Sequence, residues 1–498
     1  MSHSMLNVRS LELTFNIVLD ELSELFVQEN NLIDSVLLFC NYKFQFQFQF
    51  LINNVYMRKY LLLALLLWGA IPLMSQLNKI DFVEYDLDNG MHVILHQDKA
   101  TPIAVVSVMY HVGSKNENPG RTGFAHFFEH LLFEGSENID RGEFFQYITN
   151  AGGSNNANTW YDRTYYFELL PSNQLELGMW LESERLLHAK VDQIGIETQR
   201  EVVKEERRLR VDNPPYSLLK FVEQINQRLY TKHPYQWSVI GSMDDLDAAQ
   251  EEDYVQFYQD FYTPNNAVLS IAGDIDIEET KALVDKYFAP IPVKNPNIFR
   301  PKIVEPALSG EIVDTTYGQI QIPAIIMGYR IPAQGTDDFY AVSMLNTLMS
   351  GGESSRLNKS LRDEQQLMLQ IGSFPLELED PGVALVFGLP NVGVEVATAQ
   401  TAVDAEYLKV QNELIGEREF QKLRNQVESQ FITRNARVAG IAESLANYHM
   451  YYGNTDLINT ELERFLAVTR EDIQRVAKKY FNNDNRVVLN YLPEPSNP

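Results

Sequence analysis

The sequence predicts an α+β protein made of two homologous domains, and two observations predict it. The first is an internal repeat. Ala125–Gly135 (AHFFEHLLFEG) lies over Ala341–Gly351 (AVSMLNTLMSG), 216 residues later, and EDYVQFYQDFYTPNNAVL from Glu252 lies over EDIQRVAKKYFNNDNRVVL from Glu471, at an offset of 219. The second is the pattern inside each half. An apolar strand-like segment, Ile103–Tyr110 or Ala324–Tyr329, precedes a segment of helical period, and strands and helices mix without strict alternation. At 498 residues the chain has room for two such units.

Composition narrows the partners. A formal net charge of -26 disfavours nucleic acid and favours solubility, with a mild bias toward cationic substrates. The apolar and charged fractions are those of a soluble globular protein.

The amino terminus reads in two pieces. Residues 57–75, MRKYLLLALLLWGAIPLMS, place Arg58 and Lys59 before an apolar run, then Gly69, Ala70, Pro72 and Ser75. That is the pattern of a secretory signal peptide, too short for a comfortable membrane span, so no stable anchor is expected and the mature protein is expected to be exported, periplasmic or extracellular. A short anchor is the rival reading. A leader belongs at the start of a chain, so residues 1–56, with the alternating run Phe44–Phe50, are expected to be a misassigned extension ahead of a true start at Met57. The only cysteine, Cys40, falls there, so cysteine usage is silent on the redox compartment.

The first domain, residues 76–293, carries the chemistry. His126-Phe127-Phe128-Glu129-His130 sits on a predicted helix that Thr122-Gly123 starts and Gly135 stops. Side chains at i and i+4 share a face, so both imidazoles reach one metal ion, and Glu129 points to the same side. Phe124, Phe127, Phe128, Leu131 and Leu132 fill the apolar positions. A buried helix whose histidines merely find hydrogen-bond partners is the bland alternative. Two histidines and a glutamate on an otherwise apolar helix argue against it, because buried polar groups need compensation that a metal supplies. A tetrahedral catalytic zinc takes three protein ligands and keeps one position open. A second acidic helix, Gln199–Arg207, offers Glu205 and Glu206; the residues alone do not choose between them.

A proline-rich stretch, Pro290 to Pro306, marks the linker, placed at 294–306. In the second domain, 307–498, Val342, Leu345 and Asn346 stand where His126, Glu129 and His130 stood. That copy is metal-free.

With these motifs the chain resembles the M16 peptidases, the pitrilysin, insulysin and mitochondrial processing peptidase family, over roughly residues 80–492. The family carries its third ligand in a V-x-x-E element about 76 residues past the second histidine. Val203-Lys204-Glu205-Glu206 matches, which implies Glu206 as the ligand and leaves Glu205 as fallback. Asn89-Gly90, Gly113-Ser114 with Glu117, Gly142-Glu143 and Gly152–Thr159, continued by Asp162, Thr164 and Tyr165, match further motifs.

The resemblance implies two domains, each a mainly antiparallel sheet flanked by helices, facing each other across a chamber. It implies one Zn2+ per chain on His126, His130 and Glu206. Glu129 would be the general base toward a zinc-bound water in peptide-bond hydrolysis. It also implies that Gly153, Ser154, Asn155, Asn156 and Ala157 form an edge strand that binds the substrate backbone, and that Arg362 orients substrate. An extended peptide adds to a free strand edge, which fits that assignment.

Two positions depart from the family. Gln199 stands where many members have a glutamate. Leu369 stands seven residues after Arg362, where the family has a tyrosine, and leucine offers no hydroxyl to a carbonyl or oxyanion. The missing phenol implies a homologous subunit that supplies an arginine–tyrosine pair, or a homodimer. The rival from another class is a non-catalytic scaffold or peptide-binding subunit, which the intact triplet opposes.

Overall fold

The computed structural model describes residues 79–495. The expected extension at 1–56, Cys40 and the expected leader at 57–75 lie outside the described residues.

Six strands form the first sheet: β1 (Val83–Asp86), β2 (His92–Gln97), β3 (Ile103–Tyr110), β4 (Ser154–Thr159), β5 (Thr164–Pro171) and β6 (Ala267–Gly273). Five form the second: β7 (Ile312–Gly318), β8 (Ala324–Arg330), β9 (Met368–Leu376), β10 (Val383–Pro390) and β11 (Arg486–Pro493). The spatial orders are β1-β2-β6-β3-β5-β4 and β7-β11-β8-β10-β9. Without β1, the first order is the second. Each sheet has one parallel pair, β2–β6 or β7–β11, and is otherwise antiparallel. The duplication therefore extends to the hydrogen-bonding order. The two repeated endings fall on a helix followed by a strand in both halves, Glu251–Phe261 before β6 and Arg470–Tyr480 before β11.

The central strands are nearly all apolar, IAVVSVMY in β3 and AIIMGYR in β8, because helices cover both of their faces. The helices that matter for function are α1 (Phe124–Leu131), α2 (Gln193–Arg207), α3 (Leu218–Leu229), α4 (Asp337–Ser350) and α5 (Val438–Tyr452). In α1, Phe124, Phe127, Phe128 and Leu131 are buried in the core of the first half, as their spacing predicts. In α4, the repeat of α1, Val342, Leu345 and Asn346 are all buried. The second copy uses for packing the positions that hold His126, Glu129 and His130 in the first.

The halves hold each other by exchanging helices. From the first half, α3 lays Phe221, Ile225 and Leu229 on Ala324, Ile326, Leu385 and Leu489 of the second sheet. From the second half, α5 lays Ile441, Leu445 and Tyr448 on Ile94, Met109, Tyr165 and Val268 of the first. The α3 contact is close. A Cβ on Gly328 of β8 would come within 2.2 Å of Ile225 Cγ2, so only glycine fits there. Residues 294–306 between the halves carry no helix or strand. A cavity of about 500 Å3 is lined mostly by helices of the second half, with Trp160 and Arg163 of the β4–β5 hairpin joining from the first; Arg163 pairs there with Glu443 of α5 at 2.7 Å.

Candidate metal centre

The site begins with a turn that only glycine takes easily. Gly123 caps α1 at a left-handed φ of 89°, and a Cβ there would lie 2.7 Å from the Ile240 carbonyl. The first turn of α1 is then held by Glu117. Its two carboxylate oxygens accept from the backbone N–H groups of Gly123 and Ala125, each at 2.9 Å. Burial pushes the Glu117 carboxyl up, against the pull of those donors. An acceptor at a helix N-terminus pairs N–H groups that the helix itself leaves free, and here it fixes the phase of α1. That phase turns His126, Glu129 and His130 away from the aromatic core, leaving all three partly exposed.

Helix α2 brings a carboxylate to the two imidazoles. Glu206 Oε2 lies 3.2 Å from His130 Nε2 and 3.6 Å from His126 Nε2. Glu205 points elsewhere, exposed and paired with Arg208 at 3.0 Å. Past Arg207 the chain widens into a π-turn, Arg208–Asp212, which returns Arg210 to Glu206 Oε1 at 2.9 Å. Hydrogen bonding to His130 is the largest influence on Glu206 and, against burial, holds its carboxyl down to about 2. Burial, then the nearby His130, lowers His126 to about 4. The set is thus an anionic carboxylate and a neutral imidazole facing a second imidazole.

The arrangement fits zinc. One ligand atom from each of the three residues lies within 4.8 Å of the others. The two nitrogen–oxygen distances are close to the separation of about 3.3 Å expected for ligands about 2.0–2.1 Å from a tetrahedral ion. His126 Nδ1 is buried and finds no partner among the described residues.

Glu129 stands outside the ligand set. Burial raises its carboxyl above the usual carboxylate range, against a hydrogen bond of 2.6 Å from the Thr159 hydroxyl. Thr159 ends β4, and among the described residues β4 is the outermost strand of its sheet, bonded only to β5. Ser154, Asn155, Asn156 and Ala157 lie along this edge, alternating between exposed and half-buried, and Gly153 leads into it. Gly113 admits the loop that backs the hairpin, since a Cβ there would meet the Trp160 and Tyr161 carbonyls at 2.4 Å.

Three further residues complete the placement. Gln199 donates to Glu134 at 2.5 Å, so a carboxylate does stand beside the position where the chain lacks one. Arg362 is bound within its own half, to Glu353 and to Asp363. Leu369, on β9, is 44% exposed. Thr159 and Glu117 were legible only as parts of motifs; their contacts with α1 span sequence distances that periodicity does not reach.

Comparison with known proteins places the whole described chain beside one family. The family model described as insulinase (peptidase family M16) matches residues 92–241, and that described as the peptidase M16 inactive domain matches residues 249–427. The zinc protease PqqE of Helicobacter pylori is 30% identical over 410 residues, covering 82% of this chain and 92% of that protein. The crystal structure of a protease from Helicobacter pylori superposes with a TM-score of 0.79 at 28% identity, over 84% of this chain and all of that one. The periplasmic protease PqqL from Escherichia coli shares the fold, with a TM-score of 0.68 at 18% identity, over 84% of this chain but 48% of that one. With the two M16 family models matching successive parts of the chain and the likeness to PqqE extending over most of both proteins, this chain belongs to peptidase family M16.

Proposed function

We propose that the protein is a zinc-dependent endopeptidase acting on short or unfolded peptides, exported from the cytoplasm. The observation that carries this reading is the convergence of His126, His130 and Glu206 beside a fourth group, Glu129, that is hydrogen-bonded to an open strand edge. Zinc, when bound there, supplies Lewis acidity. The residues do the rest. Glu129, with its raised carboxyl, accepts a proton from the attacking water and hands it to the leaving amine. Its contact with Thr159 sets the base against the end of β4. The free edge of Gly153–Ala157 receives an extended peptide as an added strand, which favours short or unfolded chains over folded ones.

Export rests on the leader at 57–75 and accords with the described residues, among which no helix is long and apolar enough to cross a membrane. The chain is further read as the zinc-bearing subunit of a pair. Leu369 offers no hydroxyl, Arg362 is tied to its own segment, and PqqL has about twice the length in one chain. A homologous subunit would bring the arginine–tyrosine pair.

Glu129→Gln tests the central claim. It should keep stoichiometric zinc and lose at least about a hundredfold in cleavage of a quenched peptide, because an amide cannot accept the proton. Near-normal turnover in that variant removes the assigned role. His126→Ala and His130→Ala should lose metal and activity together.

A further inference from the structure

A second group of potential ligands lies on the opposite side of the first sheet from the chemistry described above. Asp86 is directly across the β1–β2 ladder from His92, and Glu84, two residues back along β1, shares its face. His92 Nδ1 lies 2.7 Å from Asp86 Oδ1, and His92 Nε2 lies 3.3 Å from Glu84 Oε2. His449 arrives from α5 of the other half and stacks on His92, with ring centroids 3.3 Å apart and planes 11° from parallel. One nitrogen of each ring and one Glu84 oxygen fall within 4.8 Å of one another.

An ionised carboxylate only accepts hydrogen bonds, so Asp86 places the proton of a neutral His92 on Nδ1. Nε2 then turns a lone pair toward the Glu84 carboxylate, and two acceptors face each other. Something positive must lie between them. A second proton would make His92 an imidazolium between two carboxylates and would leave His449 without a task. A divalent cation employs all three groups. Asp86 then holds the far N–H of a ligating imidazole, the outer contact that metal-bound histidines commonly make and that His126 lacks. Thr455 donates to the Glu84 oxygen and orients it.

We propose that Glu84, His92 and His449 form a second divalent-metal site that staples α5 of one half to the sheet of the other. Two imidazoles and one carboxylate suit zinc. Parallel rings aim their lone pairs side by side, so capture of the ion tilts His449 out of the stack.

The test uses the untagged chain carrying His126→Ala and His130→Ala, which disables the first centre and separates this result from the peptidase reading. Zn2+ is titrated into it at micromolar concentration, with metal content and melting temperature as readouts. One zinc per chain and a rise in melting temperature are expected. Adding Glu84→Gln or His449→Ala should weaken that binding at least about a hundredfold, and Asp86→Asn about 10–100-fold. Glu84 is exposed, so its variant remains informative even if removal of the stacked ring impairs folding. Absence of stoichiometric zinc in the His126→Ala/His130→Ala chain overturns the site, as does zinc retained unchanged when Glu84→Gln is added.

Discussion

The Thr159 hydroxyl donates a 2.6 Å hydrogen bond to Glu129 Oε2, joining the last residue of the edge strand to the one acidic group of α1. Strand and carboxylate are therefore set as a unit. Hydrogen bonds to charged groups are worth about 1.5–3 kcal/mol, and about 1.4 kcal/mol is tenfold in rate. Thr159→Val should lower kcat about tenfold or more with zinc content unchanged, while Thr159→Ser keeps most of the activity. Full kcat in the valine variant would show that the contact does not position the base.

Glu205 and Glu206 give a paired comparison on neighbouring residues. Glu206→Gln removes the oxygen that faces both imidazoles and should reduce zinc affinity at least about a hundredfold. Glu205→Gln loses only an exposed pair with Arg208 and should bind zinc as the wild type does. Metal analysis of both variants, purified side by side, decides the assignment; the reverse order would move the ligand to Glu205.

The contrast between these two glutamates also shows how far the sequence could be read. His126, Glu129 and His130 are legible because their relation is local, one turn of one helix. Choosing Glu206 over Glu205 needs the phase of α2 against α1, a tertiary fact, and only the family resemblance supplied it beforehand. The repeat announced two related halves. The matching sheet orders, each with one parallel pair, depend on strands far apart in sequence, such as β2 and β6. The exchange of α3 and α5 between halves was not legible, since an amphipathic helix does not say which sheet it covers. For the same reason His92 and His449 share no motif, although their rings touch.

A polar network between the halves gives a pH prediction. Glu379 receives His111 at 3.1 Å and Lys115 at 2.5 Å, and Lys115 also reaches Asp162 at 2.9 Å. Burial pushes the Glu379 carboxyl up, but the His111 hydrogen bond and the charges of His111 and Lys115 outweigh it and bring it down to about 2. A depressed carboxyl stabilises the fold fully above its unfolded value, about 4.3. That contribution is lost as pH falls from there toward 2. Glu379→Gln should therefore cost on the order of 2 kcal/mol at pH 7, with the gap from wild type closing between about pH 4.3 and pH 2. Urea melts of both proteins across that range measure it; a gap independent of pH would remove Glu379 from the network's energetics.

Leu369 tests the need for a partner. If the phenol comes from another subunit, the isolated chain should bind zinc fully and cleave peptide poorly. Adding the homologous subunit should then raise turnover without altering zinc content. Leu369→Tyr alone should restore only part of the activity, because the chain's own backbone there does not match a glycine-containing turn. Gln366, three residues before Leu369, holds a left-handed φ of 51°, a conformation glycine adopts at less cost. Gln366→Gly should stabilise the turn, and Gln366→Gly with Leu369→Tyr should restore more activity than Leu369→Tyr alone. Placement matters because an error of about one ångström in such a group costs about a hundredfold. Peptide turnover by the isolated wild-type chain that no added subunit increases would assign the whole reaction to this chain.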